Sequence, residues 1–366
     1  MTDLAGSGLE GSSPDVFGLA ADLVAIASES FHEGPLVDWL EAELRKLAHL
    51  EVTRVGDNVV ARTHLGRATR LILGGHTDTV AANGNAAARV VDDVLWGVGS
   101  ADMKGGLAVM LSSARRHTEP AVDVTYVFYA REEVASQHSG LGELFSRRPD
   151  LVVGDVALLG EPTDGALEAG CQGSVRVAVT LLGARAHTAR AWMGRNAIHR
   201  AGPLLDAIAA YEPRQPEISG CRFHEALQTV AIEGGVSGNV VPDRVTVTIA
   251  HRFAPDRDAV TAEGHVRAVL APFLGVGDSV EVLDVAHAAA PSVDHPVVAA
   301  LIERNALDVT AKLGWTDVAR FAAVGIPAAN FGPGDPTLAH TADEHVTRSS
   351  IERTWVALDD VIRFSP

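Results

Sequence analysis

Short apolar segments rich in β-forming residues alternate with helical patterns through the first 160 residues. The β-rich segments cover residues 70–75, 122–130 and 155–160, and a long helical pattern covers 103–117. A helical pattern also follows Ser13 and Pro14, which predict an N-cap and a first-turn proline, and continues to about residue 28. Strands that alternate with helices in this way predict a doubly wound α/β layer.

The pattern changes from about residue 174, where longer alternating strands appear at 175–182 and 245–253 with helical stretches at 196–211 and 258–274. These elements predict a smaller α+β domain. Beyond residue 291 the α/β pattern returns at 301–305 and 320–331, with a closing helix from residue 349. A chain of 366 residues also favours two cores. We therefore expect a mixed-sheet α/β domain formed by 1–173 and 291–366, interrupted by an inserted domain at 174–290.

Composition limits the class of partner. Hydrophobic residues make up 47% and charged residues 21% of the chain, as in ordinary globular proteins, and the net charge of −17 argues against nucleic acid or an anionic membrane surface as the main partner. Cys171 and Cys221 are too few for a disulfide framework. The first residues lack a signal-peptide pattern, and no stretch has the ~20 apolar residues of a spanning helix. We expect a cytoplasmic protein with no membrane partner.

A histidine follows the first apolar strand directly. His76 lies in the sequence GHTDT, at the expected carboxyl end of the strand, where ligands gather in open α/β sheets. Asp78, two residues on, is placed to fix the tautomer of the His76 ring, as a carboxylate next to a metal-binding histidine does. The pair alone is a weak signal, and a surface loop is the alternative.

An aspartate lies in a glycine-rich turn, WGVGSADMKGG at residues 96–106. Nucleotide binding is the alternative for such a turn, but Asp102 stands where the dinucleotide fingerprint requires glycine, and no Gly-Lys-Ser/Thr follows for a phosphate loop. The glycines allow a tight turn that presents Asp102 at a helix N-terminus, where a carboxylate is favoured. Asp102 is either a helix cap or a carboxylate able to bridge two metal ions.

Three further acidic residues and a second histidine complete the set of candidates. Glu132 and Glu133 follow the strand at 122–130, Glu161 follows the strand at 155–160, and His340 lies in a loop after a short late strand. Adjacent carboxylates suggest a division of roles, in which one binds a metal and the other acts as a general base. Each residue alone is compatible with an exposed loop, but the whole set predicts a metal site.

The same residues lie in motifs that resemble a known family. The motifs are GHTDT, WGVGSADMKGG, the EE pair after a strand, GEPT and AHTADEH. Together they resemble the metallopeptidase family that contains succinyl-diaminopimelate desuccinylase, acetylornithine deacetylase, aminoacylases and glutamate-releasing carboxypeptidases. The resemblance spans nearly the whole chain and implies a zinc-dependent amide hydrolase with a zinc-peptidase-type catalytic domain and an inserted dimerisation domain.

The resemblance also implies the metal ligands. One zinc ion is expected on His76, Asp102 and Glu161, and a second on Asp102, Glu133 and His340, so that Asp102 bridges the pair. Imidazole and carboxylate ligands suit zinc, and Co²⁺ or Mn²⁺ can substitute for it. The expected cofactor is therefore two Zn²⁺ ions per subunit.

Catalytic roles follow from the same resemblance. Glu132 is expected to be the general base, and Asp78 to orient His76. His187, in the predicted inserted domain, is expected to reach the neighbouring subunit's site and stabilise the oxyanion.

Substrate contacts are assigned less directly. Asn239 and Arg252 are the expected contacts by resemblance, and Arg190 and Thr316 are further candidates for an anionic substrate, because an Arg fork suits a carboxylate.

Segments 157–174, 184–199, 311–321 and 330–340 resemble the actinobacterial desuccinylases of the family, which implies N-succinyl-LL-2,6-diaminopimelate as the substrate. The sequence departs from the expected pattern at Gln172, where many relatives carry Arg, and at Thr341, where Lys is expected. Another N-acyl-amino-acid deacylase or a dipeptidase of the same family is the nearest alternative. A catalytically inactive metal-binding scaffold is an alternative of a different class, and the intact Glu132 argues against it.

Overall fold

A computed structural model describes residues 14–364 of the chain. Helices occur throughout this range, and the α-helices are, in chain order, α1 (Val16–Ala25), α2 (Gly34–Arg45), α3 (Gly105–Arg116), α4 (Gly140–Arg147), α5 (Ala197–Ala209), α6 (Ala259–Leu270), α7 (Pro296–Asn305), α8 (Val318–Ala323) and α9 (Arg348–Arg363). Among the described residues, no helix is long and apolar enough to cross a membrane.

The β-strands are mostly short. In chain order they are β1 (Glu51–Val55), β2 (Asn58–Arg62), β3 (Arg70–His76), β4 (Arg89–Val91), β5 (Val94–Trp96), β6 (Asp123–Tyr129), β7 (Val156–Leu159), β8 (Leu167–Ala169), β9 (Gly173–Leu182), β10 (Glu217–Ile218), β11 (Cys221–Arg222), β12 (Ala226–Gly234), β13 (Arg244–Phe253), β14 (Ser279–Ala286), β15 (Val309–Ala311), β16 (Ala328–Asn330) and β17 (His345–Thr347).

Two compact units make up the chain. The first ends at Gly154 and includes Gly160–Gly165 and the chain from Phe331 onward, and the second comprises Asp155–Leu159 and Ala166–Asn330. In the first unit, β1, β2, β6 and β3 are hydrogen-bonded in that order, antiparallel except for the parallel pair β3 and β6. β3 and β6 are almost entirely buried, which explains why they read as continuous apolar runs.

The second unit contains two sets of strands. β7, β16, β8 and β15 lie in that order, with parallel and antiparallel pairs, and β12, β13, β9 and β14 form a fully antiparallel sheet. Alternate residues of β9 and β13 face a core completed by α5 and α6. Mixed strand directions and this antiparallel layer with two helices confirm the predicted mixed α/β fold with a smaller α+β part. The boundaries at 173/174 and 290/291 remain predictions.

Most predicted elements occur, with shifted ends. The first helix begins at Val16 and ends at Ala25, earlier than expected, and its cap is Asp15, whose Oδ1 accepts a hydrogen bond from the Gly18 N–H at 2.8 Å. Ser13, the predicted cap, lies outside the described residues. The helix predicted at 258–274 stops at Leu270 and continues as a 3₁₀ turn. The segment 301–305, where the α/β pattern was expected to return, is the second half of α7, which begins with proline at its first helical position.

Candidate metal centre

Two parallel strands bring His76 and the glutamate pair to one edge of the sheet. β3 and β6 pair with His76 opposite Tyr129, and both strands end at this level. Glu132 and Glu133 follow Tyr129 by three and four residues. Since parallel strands end at the same edge, the fold brings His76 and the main chain of both glutamates to this edge.

The glycine-rich turn carries Asp102 to the same edge. Gly99 has a φ of +80°, which glycine adopts without strain, and Asp102 has non-helical dihedral angles (φ −117°, ψ 93°) three residues before α3 begins. Asp102 therefore lies in the turn that leads into α3, ahead of its first residue Gly105. A Cβ atom on Gly106 would lie 2.2 Å from the Gly160 carbonyl oxygen, so glycine is required where α3 passes the segment leading to Glu161.

Asp102 lies between two imidazole rings. Its Oδ1 is 3.0 Å from His76 Nε2, and its Oδ2 is 3.6 Å from His340 Nε2. Glu133 Oε1 is 2.9 Å from His340 Nε2. The use of a different oxygen toward each ring is the arrangement that a bridging carboxylate needs. His76 is buried, and His340 is about half exposed in a left-handed conformation (φ +65°).

The ligand atoms are close enough to share a cation. One atom each from His76, Asp102 and Glu133 lies within 4.8 Å of the others. Nδ1 of His76 is 3.0 Å from the Asp78 carbonyl oxygen, which can only accept, so in neutral His76 the proton is on Nδ1 and the Nε2 lone pair faces Asp102. This donor set fits a divalent metal ion such as zinc.

Electrostatics at the site favour positive charge. Burial alone would lower the pKa of His76, but the hydrogen bonds to Asp102 and Asp78 and the negative charge of Glu161 raise it well above its usual value. The hydrogen bond to Glu133 is the main cause that raises the pKa of His340 to about 9. Carboxylates thus stabilise a cation at both rings, and a metal ion can take the place of those protons.

Asp78 makes contacts that the sequence does not reveal. Its carboxylate is 3.6 Å from His76 Nδ1, and it accepts hydrogen bonds from the Glu132 N–H (3.0 Å), the Glu133 N–H (3.1 Å) and the Ser30 hydroxyl (2.8 Å). Burial would raise the pKa of Asp78, but His76 and the hydrogen bonds from the Glu132 N–H and the Ser30 hydroxyl lower it to about 2. Its role in orienting His76 stays a prediction, and its carboxylate also fixes the main chain of the glutamate pair.

Glu344 holds the main chain at Asp102, as Asp78 holds the main chain of the glutamate pair. Its buried carboxylate accepts hydrogen bonds from the Ala101 N–H (3.0 Å) and the Asp102 N–H (3.1 Å). Glu344 lies in the motif AHTADEH, but the sequence alone predicted no role for it. Ser30 was missed as well, because an isolated serine 48 residues from its partner carries no sequence signal.

Three predicted residues of the second unit lie side by side. The Thr188 N–H donates to the Asn239 carbonyl at 3.0 Å, and His187 pairs with Val240, so His187, Arg190 and Asn239 lie on one exposed surface of that unit. His187 Nδ1 accepts a hydrogen bond from the Ala189 N–H at 3.0 Å. The Nε2 atom is thus the one that carries the proton in neutral His187.

The other two predicted substrate contacts have different environments. Arg252 is exposed on β13, opposite Ser174 of β9. Thr316 is buried just before α8, with its carbonyl oxygen 3.8 Å from Cys171 Sγ. Their roles remain predictions.

The sequence and the fold both match known proteins. The profile of the Peptidase family M20/M25/M40 matches residues 72–363. A protein of Mycobacterium tuberculosis (strain H37Rv) named "Putative succinyl-diaminopimelate desuccinylase DapE" is 48% identical over 96% of both chains. The succinyl-diaminopimelate desuccinylase of Corynebacterium glutamicum is 44% identical over 89% of this chain and 90% of its own length.

Among solved structures, a tripeptidase from Staphylococcus aureus superposes with a TM-score of 0.77 at 21% identity, covering 95% of this chain and 97% of that one. A Bacillus subtilis protein described as a dinuclear metal-binding peptidase of the M20 family superposes with a TM-score of 0.65 at 16% identity, over 95% of this chain and 97% of its own. These two likenesses concern the fold.

The chain belongs to the Peptidase family M20/M25/M40. It is therefore a hydrolase of the metallopeptidase class that acts on amide bonds, as the motifs predicted.

Proposed function

We propose that this protein hydrolyses N-succinyl-LL-2,6-diaminopimelate to succinate and LL-2,6-diaminopimelate, a step in the synthesis of lysine and of cell-wall precursors. The observation that carries the proposal is the similarity, over nearly the full length of both chains, to two proteins named for this activity. The site supports it, because imidazoles and carboxylates converge where an amide hydrolase of this family needs them.

Two zinc ions per subunit complete the proposed site, with Co²⁺ or Mn²⁺ able to replace them. His76, Asp102 and Glu161 would hold one ion, and Asp102, Glu133 and His340 the other. When bound, zinc supplies Lewis-acid polarisation of the amide carbonyl and makes water more acidic.

The protein side chains move the proton. Glu132 directly precedes Glu133 in the loop and is not among the proposed metal ligands, so we assign it the role of the base. It accepts a proton from the attacking water and returns it to the leaving amine, which otherwise departs as an unstable anion. His187 donates a hydrogen bond to the oxyanion through the Nε2–H of its neutral ring.

The second unit would form the contact between the two subunits of a homodimer. We place a homodimer interface on the segment 174–290, so that His187 reaches the site of the neighbouring subunit. Arg190, Asn239, Arg252 and Thr316 would contact the small anionic N-acyl amino acid. The protein would act in the cytoplasm without nucleic-acid or membrane partners.

A substrate panel tests the function. The purified enzyme is titrated with Zn²⁺ and assayed with N-succinyl-LL-2,6-diaminopimelate, N-acetyl amino acids and dipeptides. We expect the highest kcat/KM for the succinyl substrate and full activity at two zinc ions per chain. Preference for an N-acetyl or dipeptide substrate would assign a different hydrolase of the family, and no turnover at full zinc loading would indicate a binding protein.

A further inference from the structure

Glu132 and Glu133 lie in an irregular loop between β6 and α4. The loop follows Arg131, which has a left-handed conformation (φ +62°), and reaches α4 through a short 3₁₀ turn at Ser136–His138. A general base needs a fixed position, since a small displacement costs rate. The contacts that hold this loop are therefore relevant to catalysis.

Two main-chain N–H groups fix the pair to Asp78. Glu132 donates to Asp78 Oδ1 at 3.0 Å and Glu133 donates to Asp78 Oδ2 at 3.1 Å, so one carboxylate binds consecutive amides. Hydrogen bonds to a charged acceptor are stronger than neutral ones. The orientation of the Asp78 carboxylate consequently sets the position of both glutamates.

Ser30 is the side chain that fixes this orientation from the other side. Its hydroxyl donates to Asp78 Oδ2 at 2.8 Å. Its main chain is itself held, because the Ser30 N–H donates to the Thr79 carbonyl and the Thr79 N–H donates to the Ser28 carbonyl, both at 3.0 Å. The hydroxyl thus extends from a segment that is anchored to the strand end bearing His76.

The residue after Ser30 touches the same loop at a second point. Phe31 has a φ of +72°, uncommon for a bulky residue, and its ring contacts the His138 ring edge-on at a centroid distance of 5.3 Å. Phe31 is 54% exposed, so burial of its ring does not explain this conformation. The Phe31–His138 contact places the segment against the far end of the glutamate loop.

We propose that Ser30 is a positioning residue that acts through Asp78 to hold the backbone of Glu132 and Glu133 in the orientation that catalysis requires. This inference rests on the proposed hydrolase function. It assigns no contact with substrate to Ser30, so its loss should lower kcat and leave KM nearly unchanged.

Ser30→Ala, compared with Ser28→Ala, tests the proposal. Ser28 is a matched control, since it is buried on the same segment and its hydroxyl has no hydrogen-bond partner among the described residues. We expect Ser30→Ala to lower kcat about tenfold with KM within about twofold of wild type, because one hydrogen bond to a charged group is lost. Ser28→Ala should retain wild-type kcat, and Ser30→Thr, which keeps the hydroxyl, should restore most of it.

A second measurement does not depend on activity. Hydrogen exchange of the Glu132 and Glu133 amides in the metal-free protein reports directly on their bonds to Asp78. Protection of both amides should fall roughly tenfold in Ser30→Ala and stay unchanged in Ser28→Ala. If Ser30→Ala does not fold, the series Ser30→Thr and Ser30→Cys decides, since the weaker thiol donor should lower kcat and amide protection together.

The results separate this inference from the proposed function. Wild-type kcat and unchanged amide protection in Ser30→Ala would overturn it, as would an equal loss in Ser28→Ala or an effect confined to KM. A wild-type protein without amide hydrolase activity would instead refute the proposed function, and amide exchange would still test the link from Ser30 to the glutamates.

Discussion

Carboxylates in the two units have different partners. In the second unit, Glu225 has no exposed side-chain surface and contacts two guanidinium groups, Arg214 at 2.7 Å and Arg257 at 3.5 Å, together with the Ala254 N–H at 3.1 Å. In the first unit, Asp102 and Glu133 contact the imidazoles of His76 and His340.

The two arrangements shift the pKa values of their groups in opposite directions. Burial alone would raise the pKa of Glu225, but the arginines lower it, so the group is ionised and compensated within the fold. At the candidate metal centre, the carboxylates raise the pKa of both imidazoles. A compensated carboxylate stabilises the fold, whereas carboxylates around imidazoles form a site that attracts a further cation. The following predictions test this difference.

Glu132→Gln should have the largest effect. Glutamine keeps the shape of the side chain but cannot accept a proton, so kcat should fall by about 10²–10⁴-fold while the zinc content stays at the wild-type value. Steady-state kinetics and metal analysis on the same preparation measure both. Glu133→Gln is the matched control and should instead lower the zinc content. Near-normal activity of Glu132→Gln would contradict its role as the base.

His187→Ala tests whether the second unit contributes to catalysis as well as to stability. Loss of one oxyanion donor should lower kcat by roughly 10²–10³-fold without loss of zinc. In a mixed dimer of Glu132→Gln and His187→Ala subunits, action across the interface puts both defects in one site, so about half of the wild-type activity should return. A verified mixed dimer without recovered activity would show that His187 acts within its own subunit or not at all.

The positions of the candidate site residues could be predicted because each follows a recognisable strand or turn. His76 and the glutamate pair come directly after apolar runs, and glycines mark the turn before Asp102. Since the carboxyl ends of parallel strands lie at the same edge of a sheet, local sequence patterns were enough to predict that these distant residues lie close together.

The supporting contacts could not be predicted in this way. Ser30 and Glu344 reach the site through hydrogen bonds that span 48 and 242 residues, and no periodic pattern marks either one. Helix ends were also imprecise: Asp15 caps α1, because several residues near a helix start can offer a suitable side chain. Tertiary structure selects among such candidates.

Glu225→Gln should affect stability and not chemistry. Glutamine leaves Arg214 and Arg257 beside an uncharged group, at a cost of about 3 kcal/mol in the free energy of unfolding. Thermal unfolding should therefore shift to lower temperature, while kcat and zinc content stay unchanged. Glu217→Gln is the control, since Glu217 is exposed and its partner Arg222 is 3.4 Å away. An equal shift in both variants would mean that the buried network does not stabilise the unit.

The smallest expected effect is a dependence of stability on acidic pH. Asp278 has no exposed side-chain surface, and Arg200 (2.5 Å), the Leu182 N–H and the Gly275 N–H (2.7 Å each) hold its pKa well below the usual range. A lowered pKa in the folded state stabilises the protein above the unfolded-state value of about 3.9, and this contribution is lost as the pH falls toward the folded-state pKa. Asp278→Asn should therefore unfold at a lower temperature than wild type at pH 7, and the difference should shrink below about pH 4. Asp284→Asn, at an exposed position of β14, should show no such convergence, and a constant difference for Asp278→Asn across pH would exclude the charge of Asp278 as its cause.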